Sequence, residues 1–369
     1  MGLALLGFGT VGSAFYSLVR QRSDVNVSVL LSRRPRAGLG CPVTDDYDTV
    51  LSDPSVDTVV ELIGGTDPAF EYIIRALRAG KNVVTANKQV LAARLPELSA
   101  EAKSSGVFLR FSAAAGGGIP WIPSLLRAAL SDRVLSVSGI MNGTSAFILS
   151  EMRESGASYG RALERARELG YAEADPSADV EGLDARRKLA ISASLASGSF
   201  ISEDLIPCIG ISSAAPEDIK YAESISAVLK PFAFAEFENG ATDAFVCPAL
   251  FPALSQEGLL RGPENLFRLR SESLGPQSFC GAGAGGFATA ANVLADCLSP
   301  DAPPLPSFKA LSSSSVPSGA KIRQWLFRSG GKRFFAEYTA KDASALYEKL
   351  KKEDQNTFAA LMAKGEKHA

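Results

Sequence analysis

Short apolar segments alternate with helix-like segments along the first third of the chain. The apolar runs predict five β-strands, at residues 3–6, 25–31, 58–63, 82–85 and 107–111. The periodicity between them predicts helices over 11–20, 68–79 and 95–105. This alternation is typical of βαβ units, so we expect an α/β fold with a doubly wound parallel sheet of the Rossmann type.

The pattern changes near residue 115, where a glycine-rich turn predicts the end of the first sheet. Beyond it we expect a strand at 134–141 and helices over 120–130, 145–154, 159–169 and 184–196. Residues 200–278 contain many prolines and predict only a mixture of strands and loops. The remainder predicts a glycine-rich turn and helix (279–298), an irregular Pro- and Ser-rich segment (299–319), two strands (322–327, 333–338) and a charged helix.

Composition narrows the class of protein. A chain of 369 residues with 46% hydrophobic and 21% charged residues is long enough for two ordinary globular domains. A net charge of -2 gives no basic surface for nucleic acid, and no apolar run reaches the ~20 residues of a membrane helix. The five scattered cysteines form no CxxC pair, which favours a reducing, cytoplasmic location over a disulfide framework or a zinc site.

Histidine chemistry is excluded because the only histidine is the penultimate residue, His368. Proton transfer must therefore use Lys, Asp, Glu, Tyr, Ser or Cys. This argues against His-dependent hydrolases and His-dependent hydroxy-acid dehydrogenases.

The segment GFGTVG (7–12) fits the dinucleotide pattern G-x-G-x-x-G, directly after a strand and at the start of a helix. The glycines permit the tight turn, the approach of pyrophosphate and close packing of helix on strand. The alternative is a purely structural turn. We expect the cofactor to lie against Gly7, Phe8, Gly9, Thr10, Val11 and Gly12.

The second strand ends in Ser32-Arg33-Arg34, where an NAD-preferring site usually has an acidic residue. Two guanidinium groups suit a 2′-phosphate, so Arg33 and Arg34 predict NADP(H), with use of NAD(H) left open. The alternative is a solvated basic loop.

Two lysines are candidates for the chemistry. Lys88 follows the fourth strand, at the carboxyl edge of the sheet where ligands bind, although it could also be an exposed helix-start lysine. Asp184 and Lys188 are four residues apart and share a helix face ahead of a stretch without charge (189–202). That stretch favours a buried, functional pair over a surface ion pair.

Six segments together make the chain similar to the homoserine dehydrogenase family over roughly its first 300 residues. They are GFGTVG (7–12), TANK (85–88), GGGIP (116–120), NGT (142–144), GYAEADPSADVEGLDARRK (170–188) and GAGAG (281–285). The resemblance implies reversible, NADPH-dependent reduction of L-aspartate 4-semialdehyde to L-homoserine, in threonine and methionine biosynthesis.

The resemblance also implies roles for particular residues. Lys188 would donate the proton, with Lys88 beside the reacting carbonyl and in contact with cofactor. Asp184 would orient the lysine or, like Glu173, hold the α-amino group of the substrate. The remaining substrate residues would be Asn142, Gly143, Thr144, Tyr171 and Asp179, and the remaining cofactor residues Gly170 and Gly283.

Domain boundaries and oligomeric state follow from the same resemblance. It implies a dinucleotide-binding domain over 1–135 plus about 279–319. A substrate-binding domain at 136–278 would make a homodimer. The role of the C-terminal extension, 320–369, stays open.

Two departures from the family affect these expectations. Many relatives bind a monovalent cation through a glutamate and backbone carbonyls, which would be those of Ala115, Gly117 and Ile119. Ser112 replaces that glutamate here, which argues against dependence on sodium or potassium. Ala146 and Phe147 replace Asn and Tyr, and this loss of polar groups could weaken activity.

Two other functions are compatible with these motifs. One is a Rossmann oxidoreductase for a different amino-acid or sugar substrate. The other is a catalytically silent, NADP-binding regulator.

Overall fold

The computed structural model describes residues 1–36, 38–299, 303–310 and 321–363. His368 and most of the segment predicted as irregular (300–302 and 311–319) lie outside these residues. Two compact units are present. The first comprises the described parts of Met1–Ser131, Gly198–Phe200 and Ala282–Ala310, and the second those of Asp132–Ser197, Ile201–Gly281 and Leu311–Ala369.

The first 131 residues alternate strands and helices as the apolar pattern predicts, with one short strand and one short helix (43–44 and 47–52) that were not predicted. The strands are β1 (Gly2–Leu6), β2 (Asn26–Leu31), β3 (Val43–Thr44), β4 (Thr58–Glu61), β5 (Asn82–Thr85) and β6 (Leu109–Arg110). The helices are α1 (Thr10–Val19), α2 (Tyr47–Ser52), α3 (Ala69–Arg78), α4 (Lys88–Ser104) and α5 (Trp121–Ser131). The strands form one sheet in the order β3-β2-β1-β4-β5-β6, with every neighbouring pair parallel. The predicted doubly wound sheet is confirmed.

One boundary in this unit differs from the prediction in a way that matters for the site. The helix expected from residue 95 begins at Lys88, because the side chain of Asn87 caps it by accepting a hydrogen bond from the Val90 N–H. Pro96 lies inside this helix.

The second unit is α+β. Between residues 132 and 281 its strands are β7 (Val134–Ile140), β9 (Ala227–Glu238), β10 (Ala241–Pro252), β11 (Asn265–Ser271) and β12 (Gly275–Gly281). Its helices there are α6 (Gly143–Ser155), α7 (Tyr159–Glu168), α8 (Ser177–Val180), α9 (Leu183–Ser197), α10 (Pro216–Ser224) and α11 (Gln256–Leu259). The intervening strand β8 (Ser199–Phe200) belongs to the first unit, where it pairs with β13 (Lys309–Ala310).

The C-terminal segment completes the sheet of the second unit. After α12 (Gly286–Leu298) of the first unit, the chain forms β14 (Arg323–Ser329), β15 (Lys332–Tyr338), α13 (Ala340–Glu353) and β16 (Phe358–Met362). The eight-stranded sheet has the order β12-β11-β7-β9-β10-β16-β14-β15. Trp325 and Phe327 of β14 are fully buried in the same apolar cluster as Phe245 of β10. The described part of the segment whose role was left open, 321–363, is therefore an integral part of this core.

Among the described residues, no helix combines the length and apolar character that a membrane span requires.

Candidate active site

The glycine turn after β1 has the geometry that a dinucleotide requires. Gly7 has a positive φ of 94°, and a Cβ there would lie 2.7 Å from the Leu62 carbonyl oxygen. A Cβ on Gly12 would lie 2.3 Å from the Gly7 carbonyl oxygen, so α1 packs on the turn only because residue 12 is glycine. Gly9, the N-cap of α1, instead faces open space. The opening lies at a helix N-terminus, where a phosphate is favoured, so the residues fit the cofactor.

The basic segment after β2 is exposed. Arg33 and Arg34 both lie at the surface, and Ser32 Oγ accepts a hydrogen bond from the Arg34 N–H at 3.3 Å. A third cation that the sequence analysis missed, Arg36, lies 5.3 Å from the ring centre of Phe8. The signal was present in the spacing SRRPR, and the ring contact brings this guanidinium beside the glycine turn.

Lys88 is half-buried at the first position of α4. Asn87 next to it donates from Nδ2 to the Gly65 carbonyl oxygen at 2.7 Å, and its N–H donates to Thr85 Oγ1 at 2.9 Å. Thr85 Oγ1 in turn donates to Glu61 Oε2 at 2.6 Å. A chain of hydrogen bonds therefore fixes the start of the helix that carries Lys88.

Glu61 is a buried carboxyl that the sequence analysis missed. It ends β4 and is fully buried, and its Oε1 accepts from the Ile63 N–H at 2.7 Å. Burial raises the pKa of this carboxyl above its ordinary value, against the opposing effect of the hydrogen bonds. An acidic residue at the end of an otherwise apolar strand was the available signal.

Asp184 and Lys188 form a buried ion pair in the first turns of α9, as the uncharged stretch after them predicted. Lys188 Nζ lies 2.7 Å from Asp184 Oδ2, and the two side chains are only 8% and 6% exposed. Lys188 Nζ also donates to the Met141 carbonyl oxygen at 2.7 Å. Two oxygens from different elements therefore hold the ammonium group in place.

Asn142 joins this ion pair to the acidic loop. Its Nδ2 donates to Asp184 Oδ2 at 2.9 Å and to Asp179 Oδ1 at 2.7 Å, while its Oδ1 caps α6 by accepting from the Ser145 N–H. Asp179 is half-buried, and burial raises its pKa above the ordinary value, with the neighbouring Asp184 charge acting in the same direction. The fold thus brings together four residues that are predicted to bind substrate or catalyse.

The other residues predicted for substrate border this cluster. Thr144 Oγ1 donates to the Tyr171 carbonyl oxygen at 2.7 Å, and the Tyr171 ring packs 4.8 Å from that of Phe147. Gly143 is packed tightly, since a Cβ there would lie 2.9 Å from the Pro263 carbonyl oxygen. Glu173 is exposed to solvent.

Gly170, Ala146 and Phe147 each have a structural role as well. Gly170 has a positive φ of 77° just after α7, a conformation that favours glycine. Ala146 and Phe147 are buried in the apolar core of the second unit, where polar side chains would need partners.

The residues implied for a monovalent cation do not fit one. Asn292 Nδ2 donates hydrogen bonds to the carbonyl oxygens of Gly117 and Ile119, and Ser112 Oγ donates to Asp296 Oδ1 at 2.5 Å. Gly283 lies against this region, because a Cβ on Gly117 would lie 2.5 Å from its carbonyl oxygen. Two of the three predicted carbonyl ligands, those of Gly117 and Ile119, therefore accept hydrogen bonds from α12, and the residue at the position of the glutamate is a donor to the same helix.

Comparison with known proteins identifies relatives of both halves of the chain. A family model described as "Homoserine dehydrogenase, NAD binding domain" matches residues 7–112, and one described as "Homoserine dehydrogenase" matches residues 120–298.

Whole proteins match over most of their length. The homoserine dehydrogenase of Corynebacterium glutamicum is 40% identical over 314 residues, covering 80% of this chain and 71% of its own. That of Pseudomonas aeruginosa is 37% identical over 306 residues, covering 80% and 70%. A crystal structure of a homoserine dehydrogenase from Thiobacillus denitrificans superposes with a TM-score of 0.85 at 29% identity, covering 98% of both chains.

Proposed function

The chain belongs to the homoserine dehydrogenase family, and we propose that Lys188 is the proton donor in the reaction of this family. The protein is therefore an NAD(P)-dependent oxidoreductase that interconverts L-aspartate 4-semialdehyde and L-homoserine. The observation that carries our assignment is the buried ammonium group of Lys188, held by Asp184 and the Met141 carbonyl.

Reduction of an aldehyde needs a hydride at carbon and a proton at oxygen. The reduced nicotinamide supplies the hydride when it is bound. Lys188 donates the proton, and until then its positive charge stabilises the oxygen as negative charge develops there. Asp184 is a positioning residue: its carboxylate, 2.7 Å from Lys188 Nζ, fixes the direction of the ammonium group.

The acidic loop supplies the recognition of an amino-acid substrate. Asp179 is tied to the lysine site through Asn142, so a substrate ammonium that pairs with Asp179 keeps its carbonyl end near Lys188. Glu173 lies on the same loop and is open to solvent, which suits a second contact to that ammonium group. Thr144, at the start of α6, supports this loop by donating from Oγ1 to the Tyr171 carbonyl oxygen.

We assign Lys88 a role in catalysis and the segment from Ser32 to Arg36 a preference for NADP(H). Lys88 starts a helix at the carboxyl edge of the parallel sheet, the edge where ligands bind in such folds. Arg33, Arg34 and Arg36 are exposed and follow β2, the strand whose carboxyl end lies beside the ribose in dinucleotide sites of this type. Residues 32–36 contain no acidic side chain that would favour NAD(H).

We further propose a homodimer that works in the cytoplasm. The resemblance to the family supports the dimer, and light scattering during gel filtration should give twice the mass of one chain. All five cysteines are free thiols, which fits a reducing compartment.

The test of the lysine assignments is steady-state NADPH oxidation with L-aspartate 4-semialdehyde. Lys188→Ala and Lys88→Ala should each lower kcat by at least ~100-fold, the scale of general acid–base catalysis. The matched control is Arg187→Ala, which removes a cation from the neighbouring position of α9, where Arg187 pairs with Glu203 at 3.3 Å. Arg187→Ala should keep kcat within about threefold, since no catalytic proton transfer depends on it.

Near-normal turnover in both lysine variants would refute the mechanism. A wild-type chain that binds NADPH tightly but turns over no aldehyde would instead favour a silent regulator. Turnover of a different aldehyde in preference to aspartate semialdehyde would favour the other oxidoreductase.

A further inference from the structure

The carbonyl oxygens of Gly117 and Ile119 face a side-chain amide. Asn292 Nδ2, on α12, donates to Gly117 O at 2.8 Å and to Ile119 O at 3.2 Å. Asn292 is only 9% exposed, and both carbonyl residues are buried. One nitrogen therefore bridges two backbone oxygens in the turn where the family resemblance implies a monovalent cation.

We propose that the amide of Asn292 takes the place of that cation, so that this enzyme needs neither Na⁺ nor K⁺. An –NH₂ group has two N–H donors and can satisfy two acceptors at once. Buried carbonyl oxygens need such partners. The two amide hydrogens carry partial positive charge and point at the carbonyl oxygens that would bind a cation, so they repel a cation from that position.

The position of the missing glutamate supports the same conclusion. Ser112 donates from its N–H to Asp296 Oδ2 at 2.7 Å and from Oγ to Asp296 Oδ1 at 2.5 Å. Asp296 is 6% exposed, so a glutamate at position 112 would place a second carboxylate against a buried one. Serine turns this contact from a repulsion into a pair of hydrogen bonds.

Asn292 and Asp296 are one helical turn apart on α12, so a single helix face supplies both replacements. The turn is also held by the Gly118 N–H, which donates to the Ala282 carbonyl oxygen at 3.2 Å. The amide therefore fixes the turn 116–119 against the start of α12 without an ion.

The orientation of the amide is the point to be tested. Turned by 180°, it would place Oδ1 against two carbonyl oxygens, and this group of three oxygens would attract a cation. The two orientations make opposite predictions for the wild-type enzyme: the flipped amide would be stabilised by Na⁺ or K⁺, and the orientation described here would not.

The first measurement compares chloride salts of Na⁺, K⁺ and tetramethylammonium at equal ionic strength. We expect kcat/KM and the Tm of the wild-type enzyme to differ by less than about twofold and about 1 °C among the three salts. Saturable activation or stabilisation by Na⁺ or K⁺ alone would overturn the proposal. Because Tm does not depend on turnover, this result is separate from the test of the lysines.

The second measurement changes the amide. Asn292→Asp keeps the shape but sets a carboxylate against two carbonyl oxygens, so Na⁺ or K⁺ should raise its Tm by about 3 °C or more over tetramethylammonium. The control is Asn82→Asp in the same unit, whose amide donates to one carbonyl at 3.4 Å and should show no such preference. An Asn292→Asp protein that folds without cation preference would contradict the proposal.

Asn292→Ala decides the question should the aspartate variant not fold. Loss of the donor leaves both oxygens for water or an ion, so the alanine variant should have a lower Tm that Na⁺ or K⁺ partly restores. A wild-type Tm for this variant, or a lowered Tm without cation preference, would show that the amide does not take the place of a cation.

Discussion

The Asp184–Lys188 pair makes a strong prediction about stability. Asp184→Ala leaves a buried ammonium group without its counter-ion and removes an acceptor from Asn142 Nδ2. Asp184→Asn keeps an oxygen in place of Oδ2, so both hydrogen bonds can persist while the charge is lost. Both variants lose the charge, so the difference between them measures the loss of the acceptor alone.

The expected magnitudes follow from burial. Removing one partner of a buried ion pair costs about 3–5 kcal/mol, because the remaining charge stays uncompensated. Asp184→Asn leaves the same ammonium group without a counter-ion but keeps an oxygen that accepts its hydrogen bond, and a hydrogen bond to a charged group is worth about 1.5–3 kcal/mol, so the loss of stability should be smaller by about that amount. The control is Glu168→Ala, which breaks an exposed pair with Arg165 whose side chains are 52% and 58% exposed, and a surface pair contributes about 0–1 kcal/mol.

The assay is urea unfolding followed by tryptophan fluorescence. The chain has two tryptophans, Trp121 in the first unit and Trp325 in the second, so a Trp121→Phe background reports on the unit that holds the ion pair. We expect the loss of stability to increase from Glu168→Ala through Asp184→Asn to Asp184→Ala. A loss below about 1 kcal/mol for Asp184→Ala, or equal losses for the two Asp184 variants, would refute this account of the pair.

Two further predictions concern the first unit. Replacing both Arg33 and Arg34 with Ala should lower kcat/KM for NADPH by about tenfold or more and leave that for NADH within about twofold, because the contacts proposed for these guanidinium groups are to the 2′-phosphate, which NADH lacks. Arg22→Ala, an exposed arginine paired with Asp24, should change neither, and equal losses with both cofactors would contradict the assignment. Burial raises the pKa of Asp296 from 3.8 to about 6, so the folded chain keeps a proton that the unfolded chain releases in that range. The stabilisation that comes from protonating Asp296 is complete below about pH 4 and is lost as the pH rises through about 6. Lowering the pH from about 7.5 to about 5 should therefore raise the Tm of the wild-type protein relative to the Tm of Asp296→Asn. Parallel Tm curves for the two proteins would contradict it.

Local sequence patterns determined the cofactor half of this protein. The glycines at 7 and 12 encode a turn whose steric requirements involve residues close in the chain, together with Leu62 just after β4. The apolar runs encode the parallel strands by their composition alone. The i,i+4 spacing of Asp184 and Lys188, followed by a stretch without charge, was sufficient to predict a buried pair, since both signals lie within one helix.

Such local patterns could not predict which strands of the second unit pair with each other. Pro231 and Pro248 made β9 and β10 resemble loops, yet the two prolines are register partners in a pair of 12-residue strands. β16 was missed because its place between β10 and β14 depends on strands far away in the sequence.

Only the tertiary structure decided how the candidate site is connected. Asn142 bonds to Asp179 and Asp184, 37 and 42 residues further along, and Asn292 bonds to Gly117 at a separation of 175 residues. Hydrogen bonds between distant positions depend on which backbone segments the whole fold brings within about 3 Å. Periodicity and turn preference extend over only a few residues, so they identify the reactive groups and leave their partners to the packing of the chain.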